Sequence, residues 1–253
     1  MRSPTQVSIE WGAPGALAAT RRGDIIVMID ALRASMTIAC ALVAGASRVI
    51  PVLTIEEALA LREQRGFWIA GERGGAKVAA FDFGNSPTEL LAHRAELNAH
   101  TLVLTTSNGT RCVEAGASGS APFILAAAVP NAGVAARQSW VLASRLGCDI
   151  TLLAAGLDDA PNDEDLFAAR CLLQLLVDNF GAVSLYPATD RVSPEQSSDI
   201  FENSEAGRRL SALGYADDVR FCAEFDTLEL VPVYHAGIGF VPLRADILEL
   251  GDD

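Results

Sequence analysis

Three short stretches concentrate the side chains capable of chemistry: Asp30-Ala31-Leu32-Arg33-Ala34-Ser35, Glu72-Arg73-Gly74-Gly75 and Thr105-Thr106-Ser107-Asn108-Gly109-Thr110-Arg111. Each mixes groups that handle metals or anions. Asp30 and Glu72 can hold a cation or take a proton, Arg33, Arg73 and Arg111 can pair with an anion, and Ser35, Ser107, Asn108 and Thr110 offer hydrogen bonds. The third stretch, with Gly109 at its turn, also has the composition of a backbone nest leading into a helix N-terminus, which attracts anions. Plainer readings compete: a helix cap for Asp30, an ion pair with an arginine for Glu72, and a hairpin turn at Asn108-Gly109.

The elements that must carry these groups are those of a layered α/β fold. Apolar runs of strand length, Ile25 to Asp30, Arg48 to Val52, Phe67 to Glu72, Leu102 to Thr106, Phe123 to Ala128 and Asp149 to Gly156, alternate with longer helical patterns. Their consecutive Ile, Val and Leu residues predict strands buried on both faces. The three polar stretches follow the C-terminal ends of three of these runs, where open α/β sheets bind ligands. Helix starts are marked by Thr54 with Glu57 and by Ser86 with Pro87 and Glu89. Between strand and helix, residues 72–89 predict a long glycine-rich loop carrying Asp82, Asn85 and Ser86, of a size more often functional than idle. Further on, helices are expected over Glu164 to Val177 and Asp199 to Leu213, and strands over Leu228 to Val233 and Ile238 to Val241. One domain over residues 1–253 is expected, its C-terminal third a closing subdomain.

Composition narrows the chemistry. With 19 Lys and Arg against 32 Asp and Glu the net charge is −13, which excludes a nucleic-acid reader working by phosphate neutralisation. Only three histidines are present, so a catalytic metal would rest on carboxylate and carbonyl oxygens, which favours Mg²⁺ over zinc. The five cysteines are scattered with no C-x-x-C pair and read as buried thiols in a reducing cytoplasm. No apolar run approaches the ~20 residues of a membrane span, so neither a membrane nor a nucleic-acid partner is expected. Phosphate-loop and dinucleotide glycine motifs are absent, as are the Cys-x5-Arg thiol phosphatase motif and the second Asp of a haloacid-dehalogenase site.

On VMIDALRASMTIACAL (Val27 to Leu42), GERGGAKVAAFDFGNSPTE (Gly71 to Glu89) and TTSNGTR (Thr105 to Arg111) the chain resembles the 2-phosphosulfolactate phosphatase, or ComB, family. Fainter similarity at Val129 to Ala136, Asn162 to Asp165 and Gly207 to Cys222 extends the resemblance over nearly the whole chain. Two departures are Ala80, where the family usually has Gly, and AAAVPNAGVAA in place of a Gly-Ser-containing approach to Asn131.

The resemblance implies a three-layer α/β/α fold with a largely parallel, mixed sheet. It also implies a Mg²⁺-dependent hydrolase that releases phosphate from 2-phospho-3-sulfolactate to give 3-sulfolactate. On this reading Asp30 and Glu72, with Asp82 as a further ligand, hold the metal. Arg33, Arg73 and Arg111 supply positive charge to a small anionic substrate. Ser35, Asn85, Ser86, the 105–111 nest and Asn131, at the family's Asn-containing helix start, contact that substrate. Whether Asp30 is ligand, general base or nucleophile stays open. Alternatives are a phosphatase of another phosphorylated hydroxy acid and a non-catalytic binder of small anionic metabolites. A cytoplasmic homodimer is expected.

Overall fold

The computed structural model describes residues 4–186 and 191–243. Its strands are β1 (Gln6–Trp11), β2 (Ile25–Ile29), β3 (Arg48–Pro51), β4 (Trp68–Arg73), β5 (Ala76–Lys77), β6 (Thr101–Thr105), β7 (Ile124–Ala126), β8 (Ile150–Ala154), β9 (Val183–Ser184), β10 (Pro232–His235) and β11 (Gly239–Pro242). Its helices are α1 (Gly12–Arg22), α2 (Ala34–Val43), α3 (Ile55–Arg65), α4 (Pro87–Ala92), α5 (Arg94–Leu97), α6 (Gly109–Ala117), α7 (Ala132–Leu146), α8 (Asp163–Phe180), α9 (Ser197–Asn203), α10 (Glu205–Ala212) and α11 (Ala216–Ala223).

Local sequence explains most of these elements. IIVMI, TLVLT and ITLLA form β2, β6 and β8 and are buried at every position, as strands covered on both faces must be. β1 lies near the sheet edge and alternates buried and half-exposed residues, so it offers no continuous apolar run. α2 is buried from Ala34 to Leu42, the behaviour of a helix apolar all round. α3 starts on a full capping box: Glu57 N donates to Thr54 Oγ1 at 3.1 Å, and Thr54 N to Glu57 Oε2 at 3.0 Å. At α4 the box is half formed. Ser86 Oγ accepts from Glu89 N at 3.2 Å, but the Glu89 carboxylate turns to Gly84 N at 2.7 Å.

The strands form one mixed sheet in the order β5-β4-β6-β3-β11-β10-β7-β2-β8-β1-β9. β4, β6 and β3 make one parallel block, and β7, β2, β8, β1 and β9 make another. The β10–β11 hairpin bridges the blocks through antiparallel pairings with β7 and β3. Three antiparallel joints in succession set the blocks running in opposite directions. The ends of the two blocks nevertheless meet, since Gly109, just after β6, donates to Asp30 at the end of β2. Helices cover both faces. α7 and α8 pack with Ile25, Val27 and Ile29 of β2, while α1, α2 and α6 pack with Ile26 and Met28 on its other side. The result is a three-layer α/β fold.

Two details differ from the sequence expectation. The helix expected over Asp199 to Leu213 breaks at Ser204, whose backbone is extended and whose Oγ accepts from Gly207 N at 2.9 Å to start α10. The strand expected from Leu228 begins only at Pro232, because Leu228 N is engaged by Pro130 O at 2.8 Å. Among the described residues no helix is long and apolar enough to cross a membrane.

Candidate active site

Asp30 closes β2, nine-tenths buried. Its Oδ1 accepts from Ala34 N at 3.0 Å, so it does cap α2, and a second backbone hydrogen bond comes from Gly109 at the start of α6. That close approach requires glycine: a Cβ on residue 109 would lie 2.8 Å from Asp30 Oδ2 and 3.1 Å from Ala34 Cβ. Ser35 sits beneath, accepting from Asp30 N at 3.0 Å and donating to Met28 O at 3.2 Å. Ser35 is therefore fully buried and holds the strand end.

Glu72, near the end of β4, is buried and fixed at both oxygens, by Gly75 N at 2.6 Å and by Ser107 N at 2.8 Å. The nest expected of residues 105–111 is thus answered from within the protein. Ser107 N points to Glu72, Gly109 N to Asp30 and Thr110 N to Thr106 Oγ1, so two of these amides hold carboxylates and the third a hydroxyl of the same segment. Thr110 Oγ1 donates to Thr106 O at 2.9 Å, a further tie inside the segment.

Arg33 is 1% exposed and its charge is already met. Nη1 donates to Asp218 Oδ2 at 2.7 Å, Nη2 donates to Gly75 O at 2.8 Å, and the guanidinium lies 4.2 Å from the Tyr215 ring centre. Asp218 Oδ1 in turn accepts from Ser86 Oγ at 2.9 Å, Thr88 Oγ1 at 2.6 Å and Thr88 N at 3.2 Å. Arg33 and Asp218 therefore clamp the 72–89 loop and α11 to the end of β2, and Ser86 belongs to the clamp. Removing either charge leaves the other buried and unmatched, which costs ~3–5 kcal/mol in comparable pairs.

Beside this clamp lies a cavity of about 390 Å³. Asp30, Arg33, Glu72, Asn85, Ser107 and Asn108 line it, so the structure brings these six sequence candidates together. Four further carboxylates share its wall, Asp163 and Glu205, which are not buried, and Glu164 and Asp165, which are. Glu164 and Asp165 are each 2% exposed, in the first turn of α8, where Asn162 Oδ1 caps Asp165 N at 3.2 Å. Asp165 accepts from Ala31 N at 2.7 Å and Gly156 N at 2.9 Å, tying the end of β2 to the end of β8. The run Asn162 to Asp165 was visible as an acidic helix start, but nothing local distinguishes it from a solvated one.

Burial dominates the electrostatics here. It pushes the Asp30 carboxyl up to about 6, with the nearby charge of Glu72 adding to the effect and the amides of Ala34 and Gly109 opposing it. Asp165 is raised well above the ordinary carboxylate range by burial and then by the charges of Asp30 and Glu164. Glu164 is raised too, by burial first, against a hydrogen bond with Ser204. Carboxylates crowded into a wall whose donors are backbone amides and, at Glu164, one serine hydroxyl fit a cation. The all-oxygen donor set matches Mg²⁺, which is held by one or two carboxylates plus water and phosphate oxygens. Asp30 and Glu72 could serve as that pair.

Four expected site residues stand elsewhere. Asp82 accepts from Ile69 N at 3.0 Å and lies 3.6 Å from Arg62, near the start of β4, so it does not join Asp30 and Glu72 as a third ligand. Among the described residues no three His, Cys, Asp or Glu side chains are grouped as ligands. Arg73 donates to Glu72 O and to Thr105 Oγ1, and Arg111 pairs with Asp159 at 3.3 Å; both line a neighbouring groove that shares only Ser107 with the cavity. Asn131 is fully buried, accepting from Ala128 N at 2.9 Å and donating to Leu230 O at 2.9 Å, and joins the β7 end to the segment before β10.

A layered sheet that gathers carboxylates from separate strand ends into one pocket has the architecture of a small-molecule enzyme. The chain belongs to the 2-phosphosulpholactate phosphatase family, phosphoric monoester hydrolases, whose sequence pattern matches residues 13–237. It is 35% identical over 227 residues to a protein of Carboxydothermus hydrogenoformans named probable 2-phosphosulfolactate phosphatase, covering 88% of this chain and 91% of that one. A protein of the same name from Thermotoga petrophila is 37% identical over 215 residues, covering 84% and 89%. Another, from Clostridium acetobutylicum, is 32% identical over 218 residues, covering 83% and 89%.

Proposed function

We propose that this protein is a Mg²⁺-dependent phosphatase that hydrolyses 2-phospho-3-sulfolactate to 3-sulfolactate and phosphate. The names of its relatives suggest the substrate. The observation that carries the mechanism is that Asp30 and Glu72, both buried and from two separate strand ends, line one cavity.

The substrate bears phosphate, carboxylate and sulfonate, and the cavity wall already bears Asp30, Glu72, Glu164 and Asp165. Like charges at such range repel strongly in a low-dielectric site, so a cation must stand between them. Mg²⁺ held by Asp30 and Glu72 would polarise the phosphoryl oxygens and lower the pKa of a bound water. The chain's own contribution is position. Amides of Ala34 and Gly109 fix Asp30, those of Gly75 and Ser107 fix Glu72, and Asp165 secures the backbone next to Asp30. Arg33 and Asp218 hold the loop that forms the far side of the pocket.

The test is phosphate release from 2-phospho-3-sulfolactate and from a panel of other phosphorylated hydroxy acids, with Mg²⁺ and with excess EDTA. Turnover is expected with Mg²⁺ and its loss with chelator, restored on adding the metal back. Full turnover in excess chelator would sink the metal reading, and release from none of the esters the phosphatase reading.

A further inference from the structure

Every arginine singled out from the sequence is either answered by the protein or turned elsewhere. Arg33 is matched by Asp218, and Arg73 and Arg111 line the neighbouring groove. The cavity nevertheless holds another guanidinium. Arg209, on α10, lines it together with Gly75 and Leu210. Its guanidinium forms a loose, partly exposed ion pair with Glu205, 3.6 Å away on the same helix and on the same cavity wall, and that pair engages Nη1 and leaves Nε unmet. Its Nε is buried and has no hydrogen-bond partner. The helix is brought close by Gly75, in left-handed backbone at φ +91°, where a Cβ would lie 3.2 Å from Leu210 and 3.8 Å from Arg209 Nε.

A second polar atom on the same wall is also unanswered. Asn85 is 4% exposed, and its Oδ1 is buried without a partner. Buried donors and acceptors are nearly always paired, so two orphans lining one cavity mark groups that a ligand completes. Glu72, Asp30, Glu164 and Asp165 meet a cation, whereas Arg209 Nε can only meet an anion or another acceptor.

We propose that Arg209 is the residue that receives an acid group of the substrate other than the phosphate, with Asn85 of the same cavity closing the hydrogen bonding of the bound molecule. This rests on the phosphatase reading and adds the source of its selectivity for a doubly acidic ester. A guanidinium on a helix outside the sheet binds the end of the substrate that does not react, so it acts on affinity more than on the chemical step.

The experiment compares wild type with Arg209→Gln and Arg209→Lys, each checked for an unchanged melting temperature. Loss of one charge-assisted contact raises KM for 2-phospho-3-sulfolactate by ~10–100-fold with a much smaller change in kcat, and Lys restores part of it. Two truncated esters identify the group received. If it is the sulfonate, 2-phospholactate is insensitive to Arg209→Gln; if it is the carboxylate, the phosphate ester of isethionate is insensitive. Calorimetric titration with 3-sulfolactate in the presence of Mg²⁺ reads the same contact without turnover, and the variant is expected to bind ~10–100-fold more weakly. Should wild type bind 3-sulfolactate and release no phosphate, the phosphatase reading falls while the contact is still measured. Equal KM and equal 3-sulfolactate affinity in wild type and Arg209→Gln overturn the inference, as does a fall confined to kcat or no binding by wild type.

Discussion

Asp218 and Asp30 are both buried carboxylates, and they differ in what answers their charge. Asp218 meets a guanidinium, two hydroxyls and an amide, all from protein. Asp30 is hydrogen-bonded by backbone amides alone and feels the Arg33 charge only weakly and through space, with Glu72 and Asp165 as like-charged neighbours. The first arrangement is complete and joins three segments of chain. The second is electrically incomplete, and in a folded protein that is tolerated where a ligand supplies the missing charge. Arg33 and Asp30 are separated by only two residues, so a joint and a site have been built side by side from one strand end.

The largest test of this contrast removes the joint. Asp218→Ala leaves Arg33 buried without a counter-charge and is expected to lower stability by ~3–5 kcal/mol in urea unfolding. A loss below ~1 kcal/mol, the level of an exposed pair, would erase the distinction drawn between the clusters.

The next concerns pH, in chelated protein. Asp30 is raised from an ordinary value of 3.8 to about 6, so the native state binds this proton more tightly than the unfolded chain. Its contribution is therefore most favourable below about pH 4, falls as pH rises towards 6, and is flat above, a span of roughly 3 kcal/mol. Asp165, raised for the same reasons, carries the decline to higher pH. Unfolding free energies measured across pH 4 to 8 for wild type and Asp30→Asn should diverge through that window. Parallel curves would show that Asp30 is not desolvated in the way described.

Asp30→Asn also separates cap from site in catalysis. Asn caps a helix about as well as Asp, so α2 should persist, while loss of the charge should lower kcat by ~10²-fold or more. A folded variant with unchanged kcat would put Asp30 in the same structural class as Asp218. The smallest effect is expected of Gly109→Ala, whose Cβ would press on Asp30 Oδ2 at 2.8 Å and displace it. A loss of ~1–3 kcal/mol in thermal unfolding is expected. No change would mean that the contact between α6 and Asp30 is looser than the geometry indicates.

Much of the sheet was legible because buried strands write themselves as apolar runs: β2, β6 and β8 lie within a residue or two of their expected bounds. That Asp30 and Glu72 would share a pocket was legible too, since both follow such runs. What escaped were partners far away in sequence. Asp218 follows the exposed Asp217 on a short helix, and Arg209 follows the exposed Arg208, so neither pair reveals which member turns inward. The 105–111 segment shows a different limit, since its Ser107 and Asn108 do line the cavity. A row of amides at a helix start serves a substrate anion or the protein's own carboxylates equally well, and only the fold decides between them. Asn131 illustrates the same ambiguity, with a side chain able to bind a ligand fully engaged in holding backbone.

The hairpin at the centre of the sheet has a consequence for how the chain comes to be folded. Residues 232–242 follow every other strand in the sequence, yet they alone bridge β3 and β7. During synthesis the two parallel blocks emerge first, each with an open edge able to template wrong pairings between nascent chains. The sheet becomes continuous only when those residues clear the ribosome, and the pairing of residue 49 with residue 240 makes that last closure a high-contact-order step. Premature termination before residue 232 would therefore release two sheets with unsatisfied edges, a product suited to aggregation and to degradation.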